Sequence, residues 1–167
     1  MIVEAITEKQ KEQLLKVPPS KDSVMEYRPC QVTLKNGEVK DYIYVVEENS
    51  YIRMWGVMPD DDSGKSYILI EDVENITSSP SRLKSELANK LYEAGESGMG
   101  YIIFKVIFDN GQTLDVSTGG AVDFIPIPNG LTAENIKDVL PHEGSRKNYT
   151  PGPDYYWCLY KGDIYKK

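Results

Sequence analysis

The stretch CQVTLKNGEV (residues 30–39) sets the fold class of this 167-residue chain. Apolar and polar residues alternate through it, which is the pattern of a half-buried β-strand. Asn36-Gly37 interrupts the alternation, and this dipeptide favours a hairpin turn because its residues tolerate positive φ angles. Residues 42–46 are rich in β-branched and aromatic side chains. They therefore predict the strand that returns alongside the first.

The second half of the chain repeats this hairpin signal. Residues 101–108 form a nearly continuous apolar run, and an Asp-Asn-Gly turn follows at 109–111. An apolar run without alternation is typical of a central strand that is covered on both faces. We expect further strands over 51–55, 66–70 and 155–160, and an edge strand over 121–127.

Three short helices are predicted between these strands. Thr7 and Gln10 have the spacing of a capping box, so a helix of about ten residues begins there. Ser79 and the proline after it form an N-cap and first-turn pair, and the helix that they predict ends at Gly95. A third helix is expected over 132–140, where a proline stops it.

Runs of strands with helices between them favour an α+β fold with mainly antiparallel sheets. We expect a single compact domain over 1–167, built from two strand-rich halves, 27–78 and 79–167. The strand spacing of the first half is compatible with a small SH3-like or Sm-like barrel.

The acidic charge is concentrated in one segment. The chain has a net charge of −7, and residues 41–80 contain nine acidic and only two basic side chains. An acidic surface repels nucleic acid, so that class of partner is disfavoured. It attracts a basic protein or peptide instead, or it serves only to keep the chain in solution.

The cysteines and the hydropathy favour a cytoplasmic protein. Cys30 and Cys158 lie far apart and suggest reduced thiols rather than a disulfide framework. No secretion signal is recognised, and no apolar stretch approaches the length of a spanning helix, so no membrane association is expected. A chain with one histidine and two distant cysteines lacks the zinc ligand patterns, so we expect neither a metal nor a cofactor.

The aromatic residues coincide with the acidic segment, and tyrosine and tryptophan are frequent anchors of protein interfaces. We therefore predict a non-enzymatic module that masks a basic partner, as an inhibitor or an immunity-type protein would. The same aromatic side chains would also serve self-association. The predicted partner-binding residues are Tyr42, Tyr44, Glu47, Glu48, Tyr51, Trp55, Asp60, Asp61 and Asp62.

A small hydrolase is the alternative. The glycine-rich segment 95–100 approaches the G-x-S-x-G motif around Ser97, but Met99 stands at the position of the last glycine, and a strand follows where a helix is required. His142 is the single histidine, so any histidine base must be this residue. Asp123 or Glu96 would complete a triad. A domain that senses a small ligand is the third hypothesis.

Overall fold

The computed structural model describes residues 1–166. The strands form antiparallel-dominated mixed sheets, and helices lie between them along the chain. This arrangement confirms the α+β fold. The helices are α1 (Glu8–Leu15), α2 (Glu48–Trp55) and α3 (Ser85–Ala94). The strands are β1 (Ser20–Asp22), β2 (Met25–Tyr27), β3 (Pro29–Leu34), β4 (Val39–Glu47), β5 (Ser66–Leu69), β6 (Val73–Ser78), β7 (Ile102–Phe108), β8 (Thr113–Thr118), β9 (Ile136–Pro141), β10 (Thr150–Pro151) and β11 (Tyr156–Tyr160).

The chain divides into two compact units. Unit 1 comprises residues 1–19, 24–79 and those from 155 onward, and unit 2 comprises residues 20–23 and 80–154. The first of these units therefore takes its last strand from the C-terminal end of the chain.

Unit 1 is built on a five-stranded sheet of order β5-β11-β4-β3-β6. The predicted hairpin joins β3 to β4 in antiparallel register, and Gly37 turns it with a φ of +89°. Strand β11 lies parallel to both β4 and β5. Since β5 and β6 stand at opposite edges of this sheet, its order does not support the comparison with a small SH3-like or Sm-like barrel.

Helix α1 supplies part of the core of unit 1, and its start was predicted correctly. The Thr7 hydroxyl accepts from the Gln10 amide, and the Gln10 side chain accepts from the Thr7 amide, so the capping box forms. Leu14 of this helix is fully buried in an apolar cluster with residues of β3, β4, β6 and β11. Burial of this face, more than helix propensity, stabilises so short a helix.

Unit 2 contains a four-stranded sheet of order β10-β8-β7-β9. Strand β7 pairs in antiparallel register with β8 on one side and β9 on the other. Its central position agrees with the prediction from the apolar run. Gly111 turns the β7–β8 hairpin with a φ of +86°.

The predicted strand over residues 51–55 is wrong, because this segment is the second half of helix α2. Glu47 is the N-cap of the helix, and its carboxylate accepts from the backbone amides of Asn49 and Ser50. Aromatic side chains at 51 and 55 suit a strand by composition. Their spacing of four residues also places them on one helical face, and here that face is covered.

Helix α3 begins later than predicted, at Ser85 instead of near Ser79. The Ser79 amide donates to the Pro29 carbonyl, and its hydroxyl donates to Asp41 at 2.6 Å. The backbone bond continues the pairing of β6 with β3, and the hydroxyl bonds to Asp41 rather than to a helix amide, so Ser79 is not a helix cap. The predicted end at Gly95 is confirmed, with a φ of +78°.

The predicted helix over residues 132–140 is also wrong. Only a 3₁₀ turn forms at Ala133–Asn135, and Ile136–Pro141 is strand β9. Pairing with the central strand β7 overrides the helical pattern, because it buries Ile136 and Val139 against the sheet. Residues 121–125 are buried, but they form only one bridge, between Phe124 and Arg82, instead of the expected edge strand.

Candidate functional site

Five aromatic rings in unit 1 pack around Trp157, whose side chain is only 1% exposed. The centroids of Tyr51 and Tyr44 lie 5.0 Å and 5.1 Å from that of Trp157, and Trp55 lies at 5.4 Å. Tyr44 and Tyr51 are themselves fully buried. Tyr44 therefore does not lie on the surface, and its predicted role in partner binding is wrong. Tyr51 contacts Lys65 through the hydroxyl edge of its ring. Tyr27 and Tyr155 complete the cluster.

The predicted carboxylates at the start of α2 already have partners within unit 1. Glu47 accepts from the Asn49 and Ser50 amides at 2.9 Å each, which satisfies the exposed N–H groups of the first turn. Glu48 lies 3.9 Å from the Lys161 ammonium. Tyr42 is half-buried on β4, with a left-handed φ of +62°. Less of the segment from Tyr42 to Glu48 is free to contact a partner than its composition predicts.

Two of the three carboxylates in the acidic run 60–62 also have ion-pair partners within unit 1. The Asp60 carboxylate lies 2.8 Å from the α-amino group of Met1, and the hydrogen bond from that group lowers the pKa of Asp60. Asp62 lies 2.8 Å from the ammonium of Lys65. Asp61 is exposed and has no ion pair among residues 1–166. The hydrogen bond to Asp60 raises the pKa of the Met1 amino group, and the charge of Asp61 acts on that group only at longer range, where it helps to raise the same pKa.

Lys65 occupies a compact site made by three of the predicted partner-binding residues. Its Nζ lies 4.0 Å from the centroid of Trp55 and 5.5 Å from that of Tyr51. It donates to the Tyr51 hydroxyl at 3.3 Å and pairs with Asp62. Burial and the charge of Asp62 raise the pKa of Tyr51, which keeps its hydroxyl protonated. We call Tyr51, Trp55 and Asp62 the ammonium cage.

Sequence reasoning named the three cage residues but missed both their arrangement and Lys65. The available signals were the four-residue spacing of Tyr51 and Trp55 and the three-residue spacing of Asp62 and Lys65. The first signal requires a helix, whereas the composition of residues 51–55 favours a strand.

Apolar side chains are exposed beside the cage residues along the chain. Ile52 and Met54 on α2 are 37% and 38% exposed, and Val57 just after the helix is 46% exposed. Tyr67 on the edge strand β5 is 41% exposed. These residues lie within the acidic segment 41–80. Ile52 and Met54 flank the exposed Arg53, because residues two apart on a helix point in different directions. We call the exposed side chains of Ile52, Met54 and Val57, with Arg53 between the first two, the α2 face.

Unit 2 brings together Ser97 and His142, the two residues of the hydrolase hypothesis. Ser97 Oγ lies 2.7 Å from His142 Nδ1, and it also accepts the Ile103 amide at 2.9 Å. His142 Nε2 lies 3.0 Å from the carbonyl oxygen of Ala94 at the end of α3. A carbonyl only accepts, so Nε2 carries a ring proton, and in the neutral imidazole Nδ1 accepts the Ser97 hydroxyl, which also lies 3.3 Å from the Ile103 carbonyl oxygen.

The glycines of the 95–100 turn shape this pair. A Cβ at Gly98 would collide with the ring of Tyr101 as it stands, so the ring would have to move for any larger residue. His142 has a left-handed φ of +63°, which an L-residue adopts at some cost. Its amide donates to the Ile103 carbonyl at 2.8 Å, and this bond helps to hold the strained position.

Among residues 1–166, no carboxylate lies against the His142 imidazole, whose ring contacts are Ser97 and the Ala94 carbonyl. Asp123 is fully buried and accepts from the Ser20 and Tyr92 hydroxyls at 2.5 Å each. Glu96 accepts instead from the Gly100 amide at 3.4 Å. The expectation that either carboxylate completes a triad is therefore wrong, and the Ala94 carbonyl takes that place.

The structure also contains a cavity of about 490 Å³ in unit 1. Arg28 in its wall is buried and already donates to the carbonyls of Leu14 and Val17 at 3.2 Å and 2.6 Å. Arg53 and Glu47 also line it, so both charge signs are present. This mixed lining selects no ligand class for the small-ligand hypothesis.

Over residues 1–166, no group of three or more histidine, cysteine or carboxylate side chains is arranged to hold a metal ion. No helix within that range is long and apolar enough to cross a membrane. Cys30 and Cys158 are buried thiols. Comparisons with protein-family models, with curated proteins and with solved structures find no match to this chain.

Proposed function

We propose that this chain is a protein-binding module that receives a basic partner at the α2 face. The observation that carries the proposal is the exposure of Ile52, Met54 and Val57 within the most acidic segment of the chain. Exposed apolar side chains supply contact area at an interface, and the net negative charge of segment 41–80 favours a partner of opposite charge. A cytoplasmic inhibitor or immunity-type protein would have this combination.

A defined peptide tests the proposal. A synthetic peptide of alternating lysine and leucine is titrated into the protein, and binding is measured by calorimetry at low and high salt. We expect the double substitution Ile52→Ser with Met54→Ser to weaken binding about tenfold, which corresponds to about 1.4 kcal/mol. Asp61→Lys should weaken it as well and reduce its dependence on salt.

The matched control is Val39→Ser, which removes an apolar side chain that is 59% exposed elsewhere in unit 1. Equal affinity for the control and the double variant would contradict the proposal, as would equal binding of a glutamate–leucine peptide. Sedimentation of the unliganded protein separates self-association, because a dimer formed through the α2 face would dissociate in the same double variant.

Hydrolysis at Ser97 is a second candidate, favoured by the 2.7 Å contact between Ser97 Oγ and His142 Nδ1. The imidazole would accept the hydroxyl proton while the oxygen attacks an ester or amide carbonyl, and it would return that proton to the departing alcohol or amine. Water would then cleave the acyl-serine ester and restore Ser97. The Ala94 carbonyl at the end of α3 would stabilise the resulting imidazolium, because a helix C-terminus carries partial negative charge.

A fluorophosphonate probe tests this candidate because it labels only activated serines. Labelling that is lost in Ser97→Ala and strongly slowed in His142→Ala supports hydrolysis. The matched control is Ser63→Ala, which alters an exposed serine of unit 1. An intact protein that takes up no label removes this candidate.

A further inference from the structure

Lys65 is bound within unit 1 as a ligand would be. Its ammonium group faces the Trp55 ring at 4.0 Å, meets the Tyr51 hydroxyl at 3.3 Å and contacts Asp62 at 2.8 Å. An aromatic face attracts a cation through its ring quadrupole, and a nearby carboxylate adds a charge-assisted bond. These are the contacts by which proteins recognise ammonium ligands.

The lysine belongs to a segment that other residues hold only lightly. It lies after an exposed Ser63-Gly64 turn, and its amide donates only to the Asp62 carbonyl, at 3.2 Å. The Lys65 side chain is 19% exposed and that of Asp62 is 33% exposed, so both are reached from solvent. Rotation of the Lys65 side chain outward would uncover the Trp55 ring without disturbing β5.

Trp55 gives an independent indication that the cage is not fully satisfied by Lys65. Its indole Nε1 atom is buried and has no hydrogen-bond acceptor among residues 1–166. A buried donor without an acceptor is destabilising, and the Lys65 ammonium group that fills the cage has only donors to offer. A peptide lysine brings backbone carbonyl groups as well as an ammonium group.

We propose that Tyr51, Trp55 and Asp62 bind the ammonium group of a lysine on the basic partner, and that Lys65 competes for this site from within the chain. The inference rests on the proposed function, since it names the side chain that the partner contributes. The partner's lysine must displace Lys65. The apparent affinity for the partner's lysine is therefore the intrinsic affinity of the empty cage multiplied by the fraction of molecules in which Lys65 has left it.

Choline is the probe for the cage, and 3,3-dimethylbutan-1-ol is its neutral isostere. Binding is followed by NMR through the indole N–H signals of the two tryptophans, with Trp55→Phe used to assign them. We expect Lys65→Ala to bind choline about tenfold more tightly than the unaltered chain, a change of about 1.4 kcal/mol. The matched control is Lys9→Ala, which removes the same charge from an exposed pair with Glu74 in unit 1.

Two results would overturn the inference: equal choline affinity in Lys65→Ala and Lys9→Ala, or equal binding of the neutral isostere. Lys65→Gln provides a second uncharged variant if the alanine protein does not fold. The lysine–leucine peptide separates this inference from the proposed function. If the peptide binds at the α2 face with the same affinity in Lys65→Ala, the function stands and the cage hypothesis fails. If choline binds only the emptied cage and no peptide binds, the proposed function fails.

Discussion

Replacing Ser97 by alanine tests whether the Ser97–His142 pair stabilises the fold, independently of any catalysis. The serine oxygen accepts from the Ile103 amide and contacts the His142 ring. Ile103 is only 1% exposed, so its amide would lose its acceptor where solvent is scarce. An unsatisfied buried donor costs about 1–3 kcal/mol, and one ordinary hydrogen bond contributes about 1 kcal/mol.

We therefore expect Ser97→Ala to lower the free energy of unfolding by about 2 kcal/mol. For a chain of this size that corresponds to a decrease in Tm of roughly 4–8 °C. His142→Ala should cost less, about 1 kcal/mol, because the Ile103 amide keeps its bond to Ser97. The double variant should lose less than the sum of the two, since the variants share one contact.

Urea unfolding gives these differences, and hydrogen exchange at the Ile103 amide localises them. Exchange at this amide should accelerate in Ser97→Ala and change little in His142→Ala. A free energy of unfolding within about 0.5 kcal/mol of the Ser63→Ala control, the range of neutral surface changes, would refute the structural role of the pair.

Two further predictions concern burial. Burial raises the pKa of Asp22, and the charges of Glu96 and Asp123 raise it further. The folded state therefore disfavours ionised Asp22, so Asp22→Asn should raise Tm at pH 7. This gain should disappear as the pH falls below about 3.8, where Asp22 is protonated in both the folded and the unfolded chain. A gain that does not depend on pH would contradict the prediction. Trp157→Ala removes the central ring of the aromatic cluster and should cost about 3–5 kcal/mol; chemical unfolding measures it, and a loss under about 1 kcal/mol would show that the cluster is dispensable.

The local signals in the sequence predicted the elements that depend on neighbouring residues. The capping box at Thr7 requires only Gln10, three residues away, and it formed. The Asn36-Gly37 and Asn110-Gly111 turns join strands that are adjacent along the chain, and both hairpins formed. In each case, the energy that favours the element comes from within about ten residues.

Long-range contacts decided the elements that were predicted wrongly. Residues 51–55 are compatible with either a strand or a helix, and Glu47 capping with packing on Trp157 selects the helix. The local pattern of residues 136–141 is helical. They nevertheless pair with β7, because the side of β7 that faces away from β8 has backbone N–H and C=O groups that need hydrogen-bond partners. A local pattern cannot report a partner that lies about 30 residues away in the chain.

The candidate sites divide in the same way. Composition placed Tyr51, Trp55 and Asp62 in one acidic, aromatic segment, but only the helix and the turn after it close them around Lys65. Ser97 and His142 are predicted from side-chain chemistry alone, as a nucleophile and a base. They lie together because β7 holds the 95–100 turn against the end of β9.

The sequence by itself determined the α+β class, the two hairpins and the first helix, because alternation, capping and turn preferences act over short distances. Tertiary structure alone decided that β11 inserts between β4 and β5, a parallel pairing that no turn can encode. It also decided which acids remain exposed, since Asp60, Asp62 and Glu47 are each neutralised or bonded by groups that the fold brings to them.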